Sequence, residues 1–154
     1  MRFAVIHGPN LNLLGTREPD TYGTKTLSDV NNAIQLWASE KGVTVTAFQS
    51  NLEGELVSHI QAVGSLADGI VINPAAYTHT SIAIRDALLA VGVPAVEVHL
   101  SNTDARESFR RHSTIADIVV GRVIGLGAAG YTLALSGLWE HLQLHASSVN
   151  TGDS

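Results

Sequence analysis

Arg17 and Tyr22 stand five residues apart in a run that packing alone does not explain: His7-Gly8-Pro9-Asn10-Leu11, then Gly15-Thr16-Arg17-Glu18-Pro19-Asp20-Thr21-Tyr22-Gly23. A tyrosine acts as a base at neutral pH only if its pKa, about 10 in water, is pulled down by several units. A guanidinium held against the phenolate is the simplest means of doing so. The pair could therefore remove a proton from a substrate. A packed Tyr22 ring and a solvated Arg17 are the ordinary alternative, which these two residues by themselves leave open. Their surroundings add weight to chemistry, because roughly seventeen residues rich in Gly, Pro, Asn and Thr separate His7 from the next helical pattern. Loops of that length in a compact domain are mostly lids or binding loops.

The elements that must carry such a loop follow a regular order. Arg2–His7 is a short buried strand, and Leu27–Lys41 has helical spacing with Gly42 as its stop. Val43–Gln49 alternates as a second strand, Glu53–Leu66 forms a second helix, and Gly69–Asn73 is a buried strand ended by Pro74. His79–Val91 is predicted as a helix stopped by Gly92, and Pro94–Leu100 as strand four. An irregular or singly turned segment, Ser101–His112, leads to strand five at about Ile118–Ile124 and a closing helix, Ala128–His145. Strands alternating with crossovers imply an α/β fold with a parallel sheet covered on both faces. Right-handed crossovers favour a five-stranded, doubly wound, flavodoxin-like sheet. Ligands of such sheets bind beyond the carboxyl ends of the strands. There stand His7 and Asn10 after strand one, Asn73 through His79 after strand three, and Glu97, His99 and Ser101 around the end of strand four. Arg106 and Arg110 follow four apart, on one helix face if that segment turns.

Composition narrows the classes. The 154 residues suit a single catalytic domain over residues 1–146, with a polar tail, 147–154, expected to be disordered. Hydrophobic residues make up 45% and charged residues 15%, the balance of a globular chain. The apolar runs are too short for a membrane span, and the four apolar residues after Arg2 are too few for a signal-peptide core. Cytoplasmic residence is the expectation. Without cysteine there is no disulfide, thiolate metal site or thiol nucleophile. A formal charge of −5 argues against nucleic acid as partner. Seven of the nine cations are arginines, the better fork for carboxylates and fixed hydroxyls.

Three other motifs lead elsewhere. Gly125-Leu126-Gly127-Ala128-Ala129-Gly130 matches GxGxxG, but the chain has no further strand to supply the ribose-binding acid, so a tight strand-to-helix turn is the simpler reading. His141 and His145 lie i, i+4 without a third ligand, and no metal is expected. Lys25 and Lys41 flank the first helix and lack the apolar setting that imine chemistry needs. His59, on the second helix, is expected to face solvent.

Taken together, the blocks from His7 to Pro19, Tyr22-Gly23, Ile72 to Ser81, Ile84-Arg85-Asp86, Val96 to Asn102, Ala105-Arg106-Glu107 with Phe109-Arg110, and Gly125 to Tyr131 resemble the type II 3-dehydroquinate dehydratases over roughly residues 1–145. The resemblance implies a cofactor-free hydro-lyase that converts 3-dehydroquinate to 3-dehydroshikimate by β-elimination, a step shared by the shikimate pathway and quinate breakdown. It implies Tyr22 as base, Arg17 as the cation beside it, and Asn10 as holder of the water that serves the enolate oxygen. It further implies His99 as proton donor to the leaving hydroxyl, oriented by Glu97, with Asn73 gripping the same hydroxyl. The Leu100 and Ser101 amides would take the substrate carboxylate. His79, Arg110 and a neighbouring subunit's Asp86 would hold the ring hydroxyls, and Arg106 and His7 would support. The family forms dodecamers built from trimers, which suits an Asp86 that reaches across an interface. On helix geometry, His79 and Asp86 seven residues apart would lie about 10 Å apart along one helix face. Thr103-Asp104 and Thr114-Ile115 depart from residues common in the family and put the conformation of Ser101–His112 in question. The competing reading is a non-catalytic or nucleotide-binding flavodoxin-like module.

Overall fold

The computed structural model describes residues 1–16 and 18–149. Five strands, β1 (Arg2–His7), β2 (Thr44–Gln49), β3 (Gly69–Asn73), β4 (Ala95–His99) and β5 (Gly121–Ile124), form one sheet in the order β2-β1-β3-β4-β5. Every neighbouring pair is parallel. The helices are α1 (Pro19–Tyr22), α2 (Leu27–Lys41), α3 (Glu53–Gly64), α4 (Ile82–Val91) and α5 (Ala129–Val149). This is the doubly wound, flavodoxin-like α/β arrangement.

Strand alternation divides the core in two. Phe3, Val5, Val71, Val96 and Val98 pack on one face with Ile34, Leu135 and Leu138 from α2 and α5. Ala4, Ile6, Ile70 and Ile72 pack on the other with Leu56, Ile60, Ile84 and Leu88 from α3 and α4. Strand order reverses direction between β1 and β3, where His7 pairs with Asn73 at the carboxyl edge. That crevice is where an open α/β sheet accepts a ligand.

Local signals explain most boundaries. Thr26 accepts from the Asp29 amide while Asp29 accepts from the Thr26 amide, a reciprocal cap that starts α2. Gly42 ends it in the left-handed region at φ 65°. Strand five is shorter than predicted, because the amides of Ile118 and Val119 turn back onto the Ile115 carbonyl and the strand proper is Gly121–Ile124. The closing helix continues past His145 to Val149. The expected tail residues 150–154 lie outside the described residues. No helix among the described residues is long and apolar enough to cross a membrane.

Two expectations are corrected. His79 is not in the helix with Asp86: it closes a 3₁₀ turn, Ala75–His79, and α4 starts only at Ile82, where the Ser81 hydroxyl accepts from the Ile84 amide. A side-chain cap at Ser81 fixes the helix start two residues after His79, so the one-face argument fails. His59 does not simply face solvent either. Its ring stacks on Phe48 of β2 at 4.0 Å, leaving it half-buried, and that burial holds its pKa below the ordinary imidazole value.

Candidate active site

Beyond the carboxyl ends of β1, β3 and β4 lies a solvent-open cleft. It is bordered by Asn10 and Tyr22 from the long first loop, Asn73 and His79 after β3, and His99, Leu100 and Ser101 at the end of β4. Arg106 and Arg110 complete the wall. Asn73 follows the α2/α5 face of the sheet and His99 the α3/α4 face, as the alternation of Val71 and Ala95 fixes. Both can border one cleft because it wraps over the strand ends.

Glu97 and His99, two apart on β4, point the same way. The His99 Nε2–H donates to Glu97 Oε1 at 2.6 Å, leaving Nδ1 of the imidazole for the cleft. Glu97 is fully buried on an apolar strand, so its charge needs partners. Arg122, its neighbour on β5, donates through Nε at 2.8 Å and Nη2 at 3.3 Å, and the Ser113 hydroxyl donates at 2.9 Å. Burial pushes the carboxyl pKa up, but the bonds from His99 and Arg122 outweigh it and hold Glu97 below the usual carboxylate range. The ionised Glu97 orients the His99 ring through the Nε2–H bond.

At the switch point, His7 is completely buried. Its Nδ1 lies 2.9 Å from the Tyr131 hydroxyl and its Nε2 lies 2.9 Å from Asn31 Oδ1. Burial lowers its pKa to about 4, only partly opposed by the bond to Asn31, so the ring is neutral. Asn73 Nδ2 donates to the same Tyr131 hydroxyl at 3.1 Å, while Asn73 Oδ1 accepts from the Ala75 amide at 3.1 Å.

The first loop is not a loose lid throughout. Leu11 and Leu14 are buried in the α2/α5 core and Tyr22 packs against that core from the single turn α1. Asn10 takes the left-handed region at φ 66°, which asparagine tolerates, and its amide donates to Asn51 Oδ1. Arg17 lies outside the described residues. Another cation is at hand: the Arg106 guanidinium sits 5.3 Å over the Tyr22 ring and donates to the Ser101 hydroxyl at 3.3 Å. Arg110 is held by Glu107 at 2.8 Å, and His79 Nδ1–H donates to the His112 carbonyl at 2.7 Å. Burial leads the causes that lower the His79 pKa.

Of the site residues expected from the sequence, Asn10, Tyr22, Asn73, His79, His99, Leu100, Ser101 and Arg110 border the cleft. Glu97 stands behind His99 rather than in the wall. Asp86 is exposed on α4 and does not border the cleft of its own chain. Arg106 and Arg110 do not share a helix face, because two 3₁₀ turns, Thr103–Ala105 and Ser108–Arg110, are separated by extended backbone at Arg106. The departures are absorbed: Thr103 is buried in the cleft wall, and Ile115 joins the α3/α4 core. Sequence reasoning missed Arg122, Ser113, Asn31 and the Tyr131 hydroxyl. A glutamate inside an apolar strand, which demands a buried cation, was the signal for Arg122.

GxGxxG serves the turn. Gly125 has φ 86°, and a side chain there would meet Asn102 at 3.1 Å. The Gly125 and Gly127 amides donate to the His99 and Leu100 carbonyls, which pins the β4 end. Among the described residues no group of three His, Asp or Glu side chains is placed to hold a metal.

The chain is similar to known proteins along nearly all its length. It is 54% identical over 143 residues to the 3-dehydroquinate dehydratase of Geotalea daltonii, covering 93% of this chain and 99% of that protein. It is 56% identical over 141 residues to the catabolic 3-dehydroquinase 1 of Aspergillus terreus, covering 92% and 90%. The type II dehydroquinase of Butyrivibrio crossotus superposes with a TM-score of 0.88 at 44% identity, covering 90% of this chain and 97% of that one. The family model for dehydroquinase class II matches residues 1–139, and with the sheet order and cleft described above, the chain belongs to that family.

Proposed function

We propose that this chain dehydrates 3-dehydroquinate to 3-dehydroshikimate by proton abstraction next to the ketone, an enolate intermediate and loss of water. The observation that carries the reading is the meeting of Tyr22, Asn73 and the Glu97-oriented His99 in one cleft. Tyr22, as phenolate, takes the α-proton, with Arg17 as its cation and Arg106 as a second positive charge on the ring face. Asn10 holds the water that stabilises the enolate oxygen. His99, as the imidazolium that the Glu97 carboxylate supports, gives its Nδ1 proton to the departing hydroxyl while Nε2–H stays on Glu97, so the bond from carbon to oxygen breaks as water forms, and Asn73 grips the same oxygen. The Leu100 and Ser101 amides take the carboxylate, and His79 and Arg110 the ring hydroxyls. The steps are two proton transfers, the shift of the enolate electrons into the new carbon–carbon double bond and cleavage of the carbon–oxygen bond.

The reading extends to assembly and place. Asp86 reaches a neighbour's cleft within a trimer, and trimers group into a dodecamer in the cytoplasm. Support comes from Asp86 standing exposed and away from its own cleft.

Turnover is read from the ultraviolet absorbance of the conjugated enone product. The wild-type chain is expected to be active. Tyr22→Phe should retain ligand binding and lose at least roughly a hundredfold in kcat, the scale of one general base. Near-normal kcat in Tyr22→Phe would remove Tyr22 from the mechanism. An inactive wild type would favour a non-catalytic module with this fold.

A further inference from the structure

Tyr131 does not border the cleft, yet its hydroxyl contacts a residue that does. The bonding pattern around it has a single consistent solution. The Ala75 amide can only donate, so the oxygen of the Asn73 side chain faces Ala75 and its nitrogen faces Tyr131. Asn73 is therefore the donor to the Tyr131 oxygen, and the phenolic proton must go elsewhere. It goes to Nδ1 of His7, which accepts because the other ring nitrogen, Nε2, carries the proton given to Asn31 Oδ1. The chain of bonds runs Asn73 to Tyr131 to His7 to Asn31, from β3 through α5 and β1 to α2. His7, Asn73 and Tyr131 are each at most 2% exposed, so water cannot replace a missing link. With Oδ1 and one Nδ2 proton committed, Asn73 keeps one amide proton for a ligand oxygen.

We infer that Tyr131 is a positioning residue: held by its bond to His7, its hydroxyl sets the orientation of the Asn73 amide and presents the remaining N–H to the leaving oxygen. This rests on the role of Asn73 under the proposed function. Were the hydroxyl absent, the amide would have no polar partner on that side. Only the Ala75 bond would then hold the amide, which could turn about that contact and aim its remaining N–H away from the departing hydroxyl. Pure packing does not demand the oxygen, since a phenylalanine fills nearly the same volume. Asn31, on the half-buried face of α2, holds the far end of the chain by fixing the His7 tautomer.

A double-mutant cycle separates this role from a structural one, because residues that act through one another are not additive. Steady-state kcat and KM are measured for wild type, Tyr131→Phe, Asn73→Ala and the double variant, with thermal unfolding of each as a check on folding. Tyr131→Phe should lower kcat roughly tenfold in the wild-type background, the scale of one lost hydrogen bond, and less than about twofold once Asn73 is alanine. The same factor in both backgrounds, or no loss in either, overturns the inference. Should Tyr131→Phe not fold, Asn31→Ala decides. A loss of kcat that disappears in the Asn73→Ala background supports the chain, and an unchanged or additive effect overturns it. An inactive wild type overturns the proposed function and this inference with it. An active wild type with additive losses overturns this inference alone.

Discussion

His7 has both ring nitrogens committed to protein partners and no exposure to water, and that has a consequence for stability. In the unfolded chain a histidine takes up its proton near pH 6.5, whereas the buried ring resists until about pH 4. Above pH 6.5 both states are neutral and His7 contributes no pH dependence. As pH falls below 6.5 the unfolded state binds a proton that the folded state refuses, so stability drops until the folded ring also protonates near pH 4. Over that window the loss attributable to His7 is about 3 kcal/mol. His59 and His79, also held low by burial, add slope of the same sign. Urea unfolding at a series of pH values should show this acid limb, and His7→Gln should flatten it. Identical slopes in the two proteins would contradict the assignment. Glu97 acts in the same direction for the opposite reason: the fold favours its charged form, so its lowered pKa contributes stability that is present above pH 4.5 and is lost as pH falls through its folded value.

Among the elements, the junction of β1 with β3 is the most tightly determined. The Gly8 amide donates to the Asn73 carbonyl at 2.8 Å, and a methyl group at Gly8 would meet the Pro74 carbonyl oxygen at 2.4 Å. The obstructing atoms, the Pro74 carbonyl carbon and oxygen and the Asn73 carbonyl oxygen, are all backbone, so a strand end must move. Gly8→Ala is expected to cost about 1–3 kcal/mol as overpacking. By displacing Asn73 it should also lower kcat roughly tenfold or more. Gly54, in the first turn of α3, faces open space and is the control: Gly54→Ala should be neutral or stabilising by up to about 1 kcal/mol, with turnover unchanged. Thermal unfolding and the enone assay on both variants check the contrast. A Gly8→Ala enzyme with wild-type kcat would mean that the strand junction does not position the site.

For the molecule as a whole, Asp86 stands exposed and away from the cleft of its own chain, and it is the acidic group expected to reach the cleft of another copy. On that reading Asp86→Ala weakens both the assembly and catalysis. Sedimentation under assay conditions should give a species larger than the monomer for wild type, and a shift toward smaller species for the variant. The expected kinetic signature is a raised KM, since a residue that holds a ring hydroxyl binds ground state and transition state alike. A fully active wild-type monomer would end the argument for a shared site.

The alternation of strands and helices, the all-parallel sheet and the edge carrying the chemistry were legible in the sequence, because hydrophobic period and Gly or Pro stops are local properties of the chain. So were the cleft residues Tyr22, Asn73, His79 and His99, which end strands (Asn73, His99), lie in the turn that follows one (His79) or belong to the long first loop (Tyr22). Contacts between residues far apart were not. Arg122 meets Glu97 only because β5 pairs with β4 in that register, and Tyr131 reaches Asn73, and His7 beside it, only because α5 packs over β3 and β4. Local competition also decided boundaries that periodicity misplaced. The Ser81 cap shortened a helix expected to begin at His79, and extended backbone at Arg106 split the turn that would have aligned two arginines. Periodicity reports which face a residue occupies. Partners across the sheet are fixed by register and packing, which exist only once the chain has folded.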